Sequence, residues 1–214
     1  MRRIANDRGL AETFSNHVRP PEGFALTEAI DIPPFPPLTW EGYHWSGEVR
    51  LPSWAGFQSR RGRYASVSAL GPSDGTAGMT VDGKGKALPT PEQIAAFQYL
   101  LHNEAAVAEA VGSALLGYYP RQREAYLDAY DLEESDEVPE VTDLDDLRQL
   151  VGLSSVHVLS VAQDGAACIG FEFGCAWDAE HGAGVLTHCT RVIAIGQADC
   201  SFVPWIARRG LEKH

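Results

Sequence analysis

Apolar and polar residues alternate from Trp40 onward: Tyr43, Trp45, Val49 and Leu51 are interleaved with His44, Ser46, Glu48 and Arg50. A period of two belongs to a half-buried strand, so Tyr43 and Trp45 are expected on one inward face. Further strands are expected at Tyr64 to Leu70 and at Met79 to Val81, the latter closed by the turn dipeptide Asp82-Gly83. Together they predict an N-terminal antiparallel sheet. The period then lengthens. Thr90-Pro91-Glu92-Gln93 has the residues of a capping box with proline at the first helical position, and Ile94, Phe97, Leu101, Ala108, Val111, Leu115 and Tyr118 follow at helical steps. Asn103 before Glu104 predicts a split into two helices, Tyr119-Pro120 the end of the second, and Arg121 to about Tyr130 a further helical segment. Beyond Pro139, Thr142 is positioned to cap a short helix carrying Leu144, Leu147 and Leu150 on one face, stopped by Gly152.

The last sixty or so residues return to alternation. Val156 to Val161 and Ala166 to Cys175 flank Asp164-Gly165, a strong hairpin signal, and Gly184 to His188 with Arg191 to Ile195 forms a second pair. Ala167, Ile169, Phe171, Phe173 and Cys175 share one face, which leaves Cys168 and Glu172 on the other. The fold class expected is α+β: antiparallel sheet sections at both ends, a helical middle and a C-terminal β-meander, forming one domain over residues 39–214. Two subdomains meeting near residue 140 are the alternative. Residues 1–38 hold six of the 13 prolines and read as an extended arm.

Composition narrows the class. With 44% hydrophobic and 21% charged residues, the chain has the make-up of a soluble globular protein. No window approaches the ~18 consecutive apolar residues of a membrane span. Asn6, Asp7 and Arg8 interrupt the apolar run that a signal peptide needs, so the expected compartment is the cytoplasm. Cys168, Cys175, Cys189 and Cys200 follow neither zinc-knuckle nor CxxC spacing and are expected to be buried free thiols.

Charge is uneven. The chain carries 17 Lys+Arg against 29 Asp+Glu, a net −12, yet Met1 to Arg123 balances 12 against 12 and Leu147 to His214 holds 5 against 6. The excess sits between Glu124 and Asp146, where 11 of 23 residues are acidic and none is basic. Such a field repels phosphates, which argues against nucleic acid and against an anionic membrane surface, and it favours a basic partner. Its plain structural reading is a solvated acidic loop.

Three motif matches fail on context. Gly71 to Gly75 fits GxSxG, but proline and glycine surround Ser73 and a strand follows where the hydrolase elbow needs a helix. Gly78 to Lys84 fits GxxxxGK, but Gly85 stands where a magnesium-binding hydroxyl belongs, so the segment reads as a hairpin. Asp131 to Asp146 lacks the glycine and ligand spacing of an EF-hand. The aromatic group Trp40, Tyr43, Trp45, Trp54 and Phe57 could stack sugars, and core packing is the plainer reading.

One string is distinctive: Glu172-Phe173-Gly174-Cys175-Ala176-Trp177-Asp178-Ala179-Glu180-His181-Gly182-Ala183-Gly184-Val185, continuing through His188, Arg191 and Trp205. It resembles a bacterial family known only as a domain of unknown function, whose members carry a similar E-F-x-C-x-W-D-x-E-H-G-x-G-V string near the C-terminus. The resemblance implies a cytoplasmic α+β protein and no established activity. Ala183 departs from it, standing where a larger apolar residue is expected. Chemically, Asp178, Glu180 and His181 with His188 could chelate a divalent ion. The same residues could be structural, with Asp178 bonding turn amides, Gly182 and Gly184 at positive φ, Trp177 plugging the core and His181 donating to a carbonyl. Cys175 with either histidine as a nucleophile pair is the weakest reading, because an apolar face keeps a thiol inert.

The leading expectation is a non-enzymatic protein-binding module, in its most concrete form an immunity protein that neutralises a basic toxin through Glu133, Glu134, Asp136 and Glu137. The second is a metal-dependent hydrolase or ligand-binding enzyme centred on Asp178, Glu180, His181 and His188. A third is an assembly role for the N-terminal arm. The first calls for no cofactor and the second for a divalent metal. Oligomeric state is open.

Overall fold

Two sheet sections separated along the chain by helices become one sheet in space. The computed structural model describes residues 28–61 and 67–213. In chain order the elements are β1 (Ala29–Ile30), β2 (Leu38–Trp40), β3 (His44–Arg50), β4 (Gln58–Arg61), β5 (Val67–Pro72), β6 (Thr76–Asp82), α1 (Pro91–His102), α2 (Glu104–Tyr130), α3 (Leu144–Leu147), β7 (Val151–Gln163), β8 (Ala166–Cys175), β9 (Ala183–His188), β10 (Arg191–Gly196) and α4 (Pro204–Glu212), with short 3-10 turns at Pro52–Trp54, Lys84–Lys86 and Ala198–Ser201. Eight strands pair in the order β1-β2-β3-β6-β7-β8-β9-β10, and β4-β5 is a separate hairpin. The fold is α+β.

The seam between the sections is the parallel pair β6-β7, which aligns Gly78 with Ser155 and Val81 with Val158; every other pairing among the described residues is antiparallel. A parallel pair needs a long crossover, and α1, α2 and α3 supply it. This corrects the hairpin expected at Gly78 to Lys84: Asp82-Gly83 leads into the Lys84–Lys86 turn and then α1, not back into a strand. One sheet face meets the helices through Trp45, Val49, Met79, Val81, Val156, Val158, Ile169, Phe171, Phe173 and Val185. On the other face, the Ala198–Ser201 turn and α4 cover the β7 to β10 half over a smaller cluster that includes Leu159, Cys168, Leu186 and Ile193. Cys168 and Cys175 therefore do lie on opposite faces, and all four cysteines are free.

The capping box forms as read: the Gln93 amide donates to Thr90 Oγ1 (3.3 Å) and the Thr90 amide to Gln93 Oε1 (2.9 Å). Asn103 divides α1 from α2. Pro120 does not end the second helix; α2 runs 27 residues straight through it. An internal proline costs about 3 kcal/mol, and tertiary packing offsets it, because Leu115, Tyr119 and Leu127 are buried on both sides of the ring. Asp143, not Thr142, caps α3, its Oδ1 accepting from the Asp145 and Asp146 amides at 2.9 and 3.0 Å. Gly152 lies inside β7, well past the end of α3.

Tyr43 breaks the alternation. It precedes β3 and is 86% exposed, while Trp45, Trp54 and Phe57 are buried in the core and Trp40 packs against its margin. The last residues of the expected arm pack onto the domain. Phe35 stacks on Phe97 with ring centroids 4.7 Å apart and Leu38 is fully buried, so residues 28–38 belong to the domain; the expectation for 1–27 lies outside the described residues. The strand expected at Tyr64 to Leu70 appears as β5, and residues 62–66 also lie outside the description.

Candidate functional site

The distinctive string covers β8, the connection 176–182 and the start of β9. Asp178 organises the connection. Its Oδ1 accepts from the His181 amide (2.9 Å) and lies 3.0 Å from His181 Nδ1, while Oδ2 accepts from Gln197 Nε2 (3.2 Å). The Gly182 amide donates to the Asp178 carbonyl (2.9 Å) and the Ala198 amide to the His181 carbonyl (3.0 Å). The loop is thus stitched to the Ala198–Ser201 turn that straps the sheet. Gly182 takes a φ of +62°. Gly184 does not adopt positive φ; a Cβ there would lie 2.6 Å from the Gln197 carbonyl, and one at Gly170 would lie 1.6 Å from the Ser201 carbonyl. Glycine at these strand positions lets the strap rest directly on the backbone. Trp177 is buried edge-on against Tyr119, with centroids 5.2 Å apart. His181 bonds to Asp178 and not to a buried carbonyl.

The four metal candidates do not converge. Asp178 and His181 are engaged with each other, and exposed Glu180 lines a shallow cleft of about 390 Å³ with His181, Gln197, Ala198, Asp199 and Phe202. His188 stands at the far end of β9, five residues or about 17 Å beyond Ala183 at ~3.3 Å per residue. Its Nε2 is 2.9 Å from the Gln163 carbonyl. Among the described residues no group of three or more His, Cys, Asp or Glu is placed to hold a metal ion. Cys175 is fully buried, and burial pushes its thiol up to about 12, far from thiolate chemistry.

The acidic residues fare differently. After α2, Asp131 takes a left-handed φ of 54° and the chain folds back along the helix that precedes it. Val138 is fully buried, Tyr119 Oη donates to the Pro139 carbonyl (2.6 Å) and Arg123 Nε donates to the Val138 carbonyl (2.9 Å). Tyr126 Oη donates to Glu137 Oε2 (2.5 Å), and this bond, with a smaller effect of burial, raises the Tyr126 phenol to about 12. Glu133, Glu134, Asp136 and Glu137 are exposed on this anchored loop. Further along, acidic side chains do structural work: Asp143 caps α3, Asp146 accepts from Thr142, and Asp145 meets Arg148 at 3.3 Å.

One polar constellation escaped sequence reasoning. On the strapped face at the parallel seam, Thr80 Oγ1 lies 2.8 Å from His157 Nδ1, and His157 Nε2 lies 2.9 Å from Glu172 Oε2. Phe202 sets its ring edge against the imidazole at 5.3 Å. An imidazole held between a hydroxyl and a carboxylate can pass a proton between them, and here it also ties β6, β7 and β8 together. Its only sequence signal is that Thr80, His157 and Glu172 occupy outward positions of three alternating strands. The Asp164-Gly165 hairpin signal already pairs the strands of His157 and Glu172, but nothing in the sequence tells that the strand of Thr80 lies beside them.

Residues 45–203 match the model of the family described as Domain of unknown function (DUF6985). The chain belongs to that family. The DUF6985 match begins at Trp45 in β3 and ends at Val203, so it takes in the parallel seam, the acidic segment, the distinctive string and the strap, and leaves out β1, β2 and α4. Ala183, where the string departs from its expected form, is fully buried opposite Phe173. No curated protein and no solved structure matches the chain. No helix among the described residues is long and apolar enough to cross a membrane.

Proposed function

We propose that this DUF6985 chain is a protein-binding module that meets a basic partner through residues 131–140, in its most concrete form a bacterial immunity protein that neutralises a basic toxin in the cytoplasm. The observation that carries the reading is the anchoring of the acidic segment. Val138, Tyr119, Arg123 and Tyr126 hold the loop to α2, so the carboxylates of Glu133, Glu134 and Asp136 reach solvent from a backbone that is already ordered. A pre-ordered loop loses less entropy on docking than a free one. Beside it the Tyr126 and Tyr130 rings meet at a tilt of 42° with centroids 4.8 Å apart, Tyr130 is 65% exposed and Leu132 is exposed, which joins aromatic contact area to the acidic rim. The charge steers encounter and selects against acidic competitors.

The triple variant E133K/E134K/D136K, which leaves the Glu137–Tyr126 anchor in place, tests the reading in a pull-down from lysate of the source cells. Wild type is expected to retain a basic protein in equal stoichiometry, released by raised salt, and the variant to lose it, with association slowed by about tenfold or more. Recovery of the same protein by the variant, or of no stoichiometric basic protein by wild type, refutes it. The metal-dependent alternative gains no observation from the geometry, since His188 is remote from Asp178, Glu180 and His181.

A further inference from the structure

The two edges of the large sheet are treated differently. At one edge β1 has two residues and is followed by Pro33, Pro34, Pro36 and Pro37, so it offers almost no ladder to another chain. At the other, β10 has six residues and no proline. Its backbone hydrogen bonds run to β9, with one register shift between Val192 and Ala194, and among the described residues no strand lies on its outer side. Such an edge is a template for an added extended segment.

Beside this edge α4 leaves a groove. Its Ala207 and Gly210 are buried, and Gly210 sits close enough that a Cβ would lie 2.9 Å from the Ile193 carbonyl. That close seat holds the helix over the last strands while Trp205 remains 59% exposed. The open space between measures about 340 Å³; Ile193, Ile195, Trp205 and Ile206 give it an apolar lining, and Arg209 and Lys213 add two cations. Neither cation forms an ion pair among the described residues. α2 and α4 pack against β10 but neither adds a strand to it, and in a chain of net charge −12 two cations without an ion pair beside this edge define the chemistry of what fits. Asp199 also lines the groove, beside Cys200, which approaches Gly196. It disfavours a carboxylate at that end and leaves the Ile193 end, nearer Gly210, for one.

We propose that β10 and α4 bind an extended acidic segment of a partner protein. The segment adds a ninth strand along β10, lays an apolar side chain against Trp205 and Ile195, and places a carboxylate by Arg209 and Lys213. This surface is separate from residues 131–140 and stands or falls independently of the basic partner assigned to them.

Three fluorescein-labelled octapeptides provide the test: alternating Val-Glu, Val-Ser and Val-Lys, each titrated against the full chain by anisotropy and mapped by amide chemical shifts. The Val-Glu peptide is expected to bind saturably, to shift the amides of residues 191–197 and the Trp205 indole, and to weaken roughly tenfold in R209E/K213E, whose substitutions lie on exposed positions. Absence of saturable Val-Glu binding overturns the proposal. So does undiminished binding to R209E/K213E, or a Val-Lys peptide that shifts residues 191–197 as strongly. A dimer of the chain that protects those amides without peptide assigns the edge to a second copy and overturns it too.

Discussion

Val138 is the one residue between Asp131 and Asp143 whose side chain is closed off from solvent, and the carbonyls at 138 and 139 are held by Arg123 and Tyr119. Val138→Ala removes two methyl groups from this plug. At ~0.8 kcal/mol per buried aliphatic carbon the transfer loss is about 1.6 kcal/mol, and incomplete collapse of the hole raises it to roughly 2–3 kcal/mol. The side-chain hydrogen bonds that hold the segment all come from α2, through Tyr119, Arg123 and Tyr126, so the loss is expected in its local opening and not in global unfolding. Hydrogen exchange reads this directly. The Leu132 amide donates to the Leu127 carbonyl and the Val138 amide to the Ser135 carbonyl, and both bonds open with the loop. A loss of ~2 kcal/mol accelerates their exchange about 30-fold, while amides in the centre of β8 keep their wild-type protection. Unchanged exchange at residues 132 and 138 would show that Val138 does not secure the loop. Equal acceleration through β7 and β8 would show that the segment does not open on its own; either result refutes the reasoning.

Titration of tyrosine absorbance at 295 nm checks the other anchors: burial holds Tyr119 near 12 and the Glu137 bond holds Tyr126 near 12, both above the ordinary phenol value of 10. The raised values mean that the stability these phenols contribute is present below pH 10 and is lost as pH climbs toward 12. Glu137→Gln is expected to bring one tyrosine back toward 10, and an unchanged curve would deny the pairing. Gly170→Ala places a Cβ 1.6 Å from the Ser201 carbonyl and must push the strap off the sheet. A loss of about 3 kcal/mol and a fall in Tm of roughly 10 °C are expected, whereas a fall under about 2 °C would mean the strap does not press on β8.

Several elements were legible from short stretches of chain because their causes are local. Thr90 and Gln93 are three residues apart and satisfy each other's amides, so the start of α1 needs no distant partner. Asp164 and Gly165 adopt φ of 51° and 80°, the conformation that makes this dipeptide a hairpin turn, and the faces assigned to Ala167 through Cys175 follow from the turn and the period of two. Among site residues, the acidic concentration was visible by counting. Its anchoring was not, since Tyr119, Arg123 and Tyr126 lie 11 to 20 residues from the groups they bind. The four residues from Asp178 to His188 do not converge for a related reason: nearness along a chain that enters a strand becomes distance, because β9 carries His188 away from the loop.

Alternation, capping, turn chemistry and the place of the charge were determined by sequence alone, since each depends on neighbours within one turn or one strand. Long-range packing decided the rest. Burial around Pro120 outweighed a helix break that every local rule predicts. The helical crossover set β6 parallel to β7, and only that juxtaposition brings Thr80, His157 and Glu172, which lie up to 92 residues apart in sequence, into one hydrogen-bonded line. Tyr43 faces water although its period matches Trp45, because the strand begins one residue too late to carry it inward. The physical reason is common to all three: local rules rank what a segment can adopt, and the apolar area it buries against segments far away in the chain chooses among them.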